Sequence, residues 1–587
     1  MYDLIIRNGL LVDGTGAPPR SGDIAISEGR IALIGQVDGP ALREIDAQGR
    51  VVAPGFIDIH THYDAQLLWD GTLSPSPLHG VTTVIAGNCG ISLAPARPED
   101  RDFLVRLLSR VEAIPIESLR QGIEFAWDSF PSYLDHVAQQ KLAINVGVMV
   151  GHAAVRRFVM GEDASQRAAR VDEIAAMRAL VGEALGAGAI GFSSSTARTQ
   201  FDGDERPTPP QFAAHDEFVA LASACRDHPG TSLEFIPGTA VSGFPGGDDI
   251  RLLADMSREA GRPVNWNTIL LDYPGIPDIQ DRQLDAVDAA RAMGGFVVPQ
   301  IIPHNFRIRI DLLESDIGFR NTPEFAPLYE LDYPARIAAL RDPEWRDKLI
   351  AVIESLPEGT NKAFFSSSLP KFMVSDAGPA DMQHLVGRKI ADIAAGRGSS
   401  VLETIFDLAA EAKLEIGFQS FLVPVETEAQ RALRKRVLRD KRLMLGASDG
   451  GAHVRSVINV EYPTACFGEL VRDEGIFSLE ELVQEFTDIP AKLYGLKDRG
   501  RLAEGYWADI IIFDAATIRA SPLEMRFDFP GGAPRLYNHG VGIDLVLVAG
   551  EEAVRDGEMG DARAGKLLRS GDDTEDVPWS KMLVRAR

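Results

Sequence analysis

Two histidines one residue apart, His60 and His62, end the run Pro54-Gly55-Phe56-Ile57-Asp58-Ile59-His60-Thr61-His62. Side chains alternate faces along a strand, so both imidazoles point the same way and can grip one cation. Read blandly, they are two histidines on a solvated strand end. A second run, Val81-Thr82-Thr83-Val84-Ile85-Ala86, leads into Gly87-Asn88-Cys89-Gly90. The Cys89 thiolate would be a soft, strong zinc ligand whose ionisation a nearby cation favours; the alternative is a buried thiol packed as a small hydrophobe. Late in the chain, Leu443-Met444-Leu445-Gly446-Ala447-Ser448 runs into Asp449-Gly450-Gly451-Ala452-His453. Asp449 could ligate a metal, accept a proton from water and deliver it to a leaving nitrogen. Alone it would read as a Ser-Asp-Gly turn. Combined with the histidine pair, it describes a hydrolytic metal centre.

The elements that must hold these groups are short apolar strands. Between about residues 55 and 499, strand-like runs alternate with longer helical stretches such as 170–186 and 285–294, the pattern of βα units in a parallel sheet. Residues 1–54 instead alternate apolar runs with turn residues, and the texture returns in Asp509-Ile510-Ile511-Ile512-Phe513 and Leu545-Val546-Leu547-Val548. A domain interrupting a sheet made from both ends is the expected organisation, with the small domain spanning 1–54 and 500–556. Residues 198–211 and 307–331 break the βα pattern and read as loops over the mouth of the larger domain, and the polar stretch 557–587 reads as a surface arm.

With 587 residues, 45% of them hydrophobic and 25% charged, the composition is that of a globular protein with more than one domain. A net charge of −25 disfavours nucleic acid and anionic membrane surfaces as partners, and an anionic substrate would need a local cation. Three scattered cysteines, Cys89, Cys225 and Cys466, form no disulfide framework and fit the cytoplasm. Charges interrupt the first seven residues, and no run approaches the length of a membrane span, so neither secretion nor insertion is expected.

In this order the motifs resemble the amidohydrolase superfamily, and their wording is similar to its N-acyl-D-amino-acid deacylase branch. Further matches are Thr487-Asp488-Ile489-Pro490-Ala491, Asp498-Arg499-Gly500, Gly505-Tyr506-Trp507-Ala508-Asp509 and Pro530-Gly531-Gly532-Ala533. The resemblance implies an α/β fold, a TIM (β/α)8 barrel over 55–499 with a small β-sandwich domain from the N- and C-terminal segments. It implies one or two divalent ions, zinc in the family's usage, held by His60, His62, Cys89 and Asp449, with Asp449 as the catalytic acid and base. The reaction implied is amide hydrolysis of a small substrate, an N-acyl-D-amino acid, by a metal-activated water.

The sequence also departs from that pattern. The deacylases carry a histidine on each of their fifth and sixth barrel strands, the second followed by a lysine that meets the substrate carboxylate. Here Thr231-Ser232-Leu233-Glu234-Phe235 and Pro263-Val264-Asn265-Trp266-Asn267-Thr268-Ile269 put Glu234 and Asn267 in those places and no lysine nearby. Glutamate can ligate zinc, whereas an amide suits harder cations. His152, His304 and His453 each follow or flank an apolar run and could line the mouth or serve as hydrogen-bonded structural residues. Arg307 and Arg309 could meet an anionic substrate or be solvated loop charges. A hydrolase of a cyclic amide, carbamate or ester, and a non-catalytic scaffold, are the competing readings. The commonest assembly for such an enzyme is a homo-oligomer.

Overall fold

The Pro54-Gly55 pair separates two sheets. Val51–Pro54 belongs to one, Phe56–Asp58 to another, and a Cβ on Gly55 would lie 2.2 Å from the Thr82 side chain, so only glycine fits the joint. The computed structural model describes residues 1–583 apart from 239–245, 272–277, 306, 314–317, 321, 357–361, 363 and 422–426.

Eight short segments form the central parallel strands: β1 (Phe56–Asp58), β2 (Val81–Ala86), β3 (Asn145–Val148, resuming at Val150–Gly151), β4 (Gly191–Ser195), β5 (Ser232–Ile236), β6 (Val264–Trp266), β7 (Val297–Ile301) and β8 (Met444–Leu445). Every residue in them is buried, which is why they read as unbroken apolar or small-residue runs rather than alternating ones. β1, β2 and β3 pair in order, and the continuation of β3 pairs with β4, followed by β5, β6, β7 and β8. A parallel bridge joins Thr61, just beyond β1, to Gly450, just beyond β8. Helices such as Arg101–Glu112 (α1), Val171–Gly186, Gly247–Ala260 and Ile279–Ala292 connect the strands and bury one face each against them.

The two ends of the chain build a nine-stranded sheet. Val51–Pro54 lies antiparallel to Ile510–Phe513, with Val52 opposite Ile512, and flanking strands from Tyr2–Leu11 to Glu558–Met559 complete it. Leu4, Ile6, Ile24, Val52, Ile510 and Leu547 form its separate apolar core.

Two stretches differ from the sequence reading. Arg307–Ile310 is a strand, not a loop, and it pairs with Ile416–Phe421, which pairs with Met373–Ala377 in a small antiparallel sheet. Phe319, Phe325, Phe365, Phe406 and Phe418 give this insertion a hydrophobic cluster of its own; residues 314–317 and 321 of the expected loop lie outside the described residues. The polar C-terminal stretch is anchored: Leu567–Leu568 pairs in parallel with β3, and the buried Thr574 donates a hydrogen bond to the Gly230 carbonyl. Two leucines in a charged segment suffice for that anchor because both are buried. Among the described residues no helix is long and apolar enough to cross a membrane.

Candidate metal centre

All the site groups leave the carboxyl ends of central strands or, for Glu234, stand within one. His60 and His62 follow β1, and the chain there is zipped to its neighbours: Thr61 donates to Ile85 O at 3.0 Å, His62 to Gly450 O at 2.7 Å, and Asp449 to His60 O at 3.1 Å. The loop after β8 approaches so closely that a Cβ on Gly451, at φ +94°, would sit 2.6 Å from the His62 carbonyl oxygen. Cys89 follows β2, and its own N–H donates to Glu234 Oε2 at 2.8 Å. On β4, Ser193 Oγ donates to Gly87 O at 2.5 Å and accepts from Gly90 N–H at 3.1 Å, which clamps the loop on both sides of Cys89.

These supports bring His60, His62 and Cys89 together, with one donor atom from each lying within 4.8 Å of the others. Cys89 Sγ is 3.3 Å from His60 Nε2 and 3.7 Å from His62 Nε2. Asp449 Oδ1 lies 3.2 Å from His60 Nε2 and 3.9 Å from His62 Nε2. Asn267 Nδ2 approaches the same His60 nitrogen at 3.3 Å. Glu234 is fully buried, and among the described residues its Oε1 has no hydrogen-bond partner. Cys89, Asp449 and His453 all sit at positive φ, +58°, +51° and +48°, a conformation that side chains rarely adopt and that here concentrates around the donors.

The electrostatics suit a cation. Burial lowers the pKa of His60 and, more strongly, of His62, which His60 and His453 push the same way, so both rings stay neutral with lone pairs available. Burial also pushes the Cys89 thiol well up, with Glu234, Glu112 and Asp449 adding to it, and raises the Glu234 carboxyl in the same way. A divalent ion reverses that logic, because it stabilises the ionised forms that burial penalises. Two imidazoles, one sulfur and an orphaned buried carboxylate oxygen fit such an ion, and the nitrogen and sulfur donors favour zinc.

Two supporting residues were not legible in the sequence. Glu112, the last residue of α1, is buried with Oε1 3.4 Å from His62 Nδ1, and Gln300 on β7 places Nε2 3.4 Å from His60 Nδ1. Each imidazole thus has a polar group 3.4 Å behind it, on the side away from the other donors. The only available signal was Glu112 at the end of an apolar helix face, which an ordinary surface carboxylate also produces.

The remaining candidates go elsewhere, with one exception. His453 stays at the site, its N–H donating to Glu112 O at 2.6 Å. His152 is buried between Ser194 Oγ at 2.8 Å and Glu217 Oε1 at 2.9 Å, and Arg156 pairs with the same carboxylate. His304 lies 3.9 Å from Glu461 Oε1, and burial lowers its pKa to about 3. Arg309 is not a free mouth charge: it is buried in ion pairs with Asp311 at 2.6 Å and Asp376 at 2.8 Å. Arg307 lies over the Phe421 ring at the edge of the insertion's sheet. A cleft of about 390 Å³ opens beside Asp449, walled by Tyr63, Val457, Asn459, Arg535 and Leu536 among others.

The Amidohydrolase family profile matches residues 43–553. The D-aminoacylase of Alcaligenes xylosoxydans xylosoxydans is 29% identical over 575 residues, covering 97% of each chain. The N-acyl-D-glutamate deacylase of the same organism is 30% identical over 526 residues, covering 88% of each. Among solved structures, the N-acyl-D-glutamate deacylase of Bordetella bronchiseptica, complexed with zinc and a phosphonate mimic of the reaction's tetrahedral intermediate, matches with a TM-score of 0.64 at 26% identity. That match covers 97% of this chain and 100% of the other.

Proposed function

Because the chain belongs to the amidohydrolase family, we propose that it is a metal-dependent hydrolase that cleaves the amide of an N-acyl-D-amino acid. The observation that carries this reading is the convergence of His60, His62 and Cys89 within 4.8 Å, beside Asp449, where the parallel strands end. The strand order, together with the Thr61–Gly450 bridge, supports a closed (β/α)8 barrel over residues 55–499. The sheet shared by the two chain ends supports a β-sandwich domain over 1–54 and 500–556, with 557–587 as a C-terminal extension.

His60, His62 and Cys89 would hold the ion, assisted by Asp449 and by the orphaned oxygen of Glu234, with Asn267 alongside; the donor chemistry favours zinc, as one or two ions. When bound there, a divalent cation supplies Lewis acidity to the site. The chain's own residues do the rest. Glu112 and Gln300 stand behind the two imidazoles, and the Ser193 clamp fixes Cys89. Asp449, more exposed than His60 and His62, can accept a proton from the attacking water and pass it to the leaving nitrogen before the C–N bond breaks. Three reduced cysteines are consistent with a cytoplasmic enzyme, and symmetric self-assembly is the common state for one.

The test is metal analysis of the purified protein, followed by assay against N-acetyl-D-amino acids, their L-enantiomers, lactams and esters, with and without chelator. Chelator-sensitive release of acetate from a D-substrate is expected. Hydrolysis confined to lactams or esters would overturn the substrate assignment.

A further inference from the structure

Both ring nitrogens of His60 face amide nitrogens. Gln300 Nε2 lies 3.4 Å from Nδ1, and Asn267 Nδ2 lies 3.3 Å from Nε2. Burial keeps the ring neutral, and a neutral imidazole has one N–H and one lone pair, so it can accept from only one of the two amides. The other donors decide which nitrogen keeps the lone pair. Cys89 Sγ at 3.3 Å and Asp449 Oδ1 at 3.2 Å converge on Nε2, so that is the side on which an ion would sit and where the lone pair must stay available. The proton then belongs on Nδ1, which faces Gln300 and needs an acceptor there.

The Gln300 carboxamide has such an acceptor to give. Gln300 is fully buried, and among the described residues its Oε1 has no hydrogen-bond partner, a costly state for a carbonyl oxygen enclosed among strands. A half-turn of the carboxamide exchanges oxygen for nitrogen without displacing the chain, and it brings Oε1 to His60 Nδ1–H. Asn267 needs no such turn, because its amide also hydrogen-bonds the Cys89 thiol, where it opposes the upward push of burial. We infer that Gln300 is a positioning residue that sets the tautomer of His60, its Oε1 accepting Nδ1–H so that the Nε2 lone pair is held toward the metal. This inference rests on the metal-centre reading above. It gives the β7 strand a part in the site although β7 supplies no ligand.

The experiment measures the zinc affinity of the full-length apo protein by competition with a chromophoric chelator. Gln300→Met keeps the length of the side chain and removes the acceptor. It should weaken zinc binding by about 10-fold or more, the usual effect of losing a partner behind a ligating histidine, while the melting temperature of the apo protein holds. Gln300→Glu keeps only acceptors and should bind zinc at least as tightly as the wild type. Unchanged affinity in Gln300→Met overturns the inference. So does a folded Gln300→Glu protein that loses as much affinity as Gln300→Met, because the amide N–H would then be the working group. Nitrogen-labelled histidine spectra of the zinc-loaded wild type need no variant: a His60 proton on Nδ1 is expected, and one on Nε2 overturns the tautomer. Failure of the wild type to bind zinc overturns the metal-centre reading as well, whereas every other failure leaves that reading standing.

Discussion

Asp449 stands closer to solvent than its histidine neighbours, with 28% of its side chain exposed against none for His60. A proton carrier must reach both water and leaving group, whereas a ligand only has to stay put. Asp449→Asn keeps the shape and removes the base, so kcat per bound metal should fall by roughly 100-fold or more while the melting temperature holds. Near-normal kcat at full metal occupancy would move the proton transfer to another group, with His453 and Glu234 the next to replace. The difference between legible and illegible residues follows from what local sequence encodes. His60 and His62 announce themselves because strand alternation alone puts them on one face. Glu112 gives no such sign, since its role depends on α1 ending beside β1, a contact between segments far apart in sequence. Arg309 misleads for the same reason: its partner Asp376 is brought close only by the pairing of Arg307–Ile310 and Met373–Ala377 with the strand between them.

The elements were legible where a single period dominates. The buried parallel strands appear as apolar runs, and the helix over Val171–Gly186 begins where Glu173 accepts the Arg170 N–H at 2.7 Å, as its acidic first turn suggests. The insertion was not, because its strands are short and its aromatic residues are spread over a hundred positions. At this scale the joint between the loops after β8 and β1 matters most. Gly451, at φ +94°, lets the loop carrying Asp449 lie against the His62 carbonyl. Gly451→Ala forces both a strained backbone and a clash, which should cost about 1–3 kcal/mol and reduce bound metal, because the same contact fixes His62. Calorimetry and metal analysis showing wild-type values would mean that the two loops move independently.

For the whole molecule, the C-terminal extension is a structural part and not an appendage. Leu567–Leu568 covers the outer edge of β3, and Lys566 Nζ donates to Asp573 Oδ1 at 2.5 Å to close the turn that follows. A chain ending at Gly560 should lose about 3 kcal/mol or more from the two buried leucines and expose a paired strand's edge. Its expected signs are a lower melting temperature and aggregates in size-exclusion chromatography. A monodisperse protein with the wild-type midpoint would show that the segment only decorates the surface.

The sheet shared by the chain ends also sets a timetable for synthesis. Val51–Pro54 emerges from the ribosome early, yet its partner Ile510–Phe513 is translated last but for the closing strands. At roughly 5–20 residues per second, that strand waits tens of seconds with an apolar edge unpaired. Nascent chains stalled before residue 510 should therefore engage cellular holdases through the first fifty residues, and a cell short of those chaperones should lose this protein during translation rather than after it.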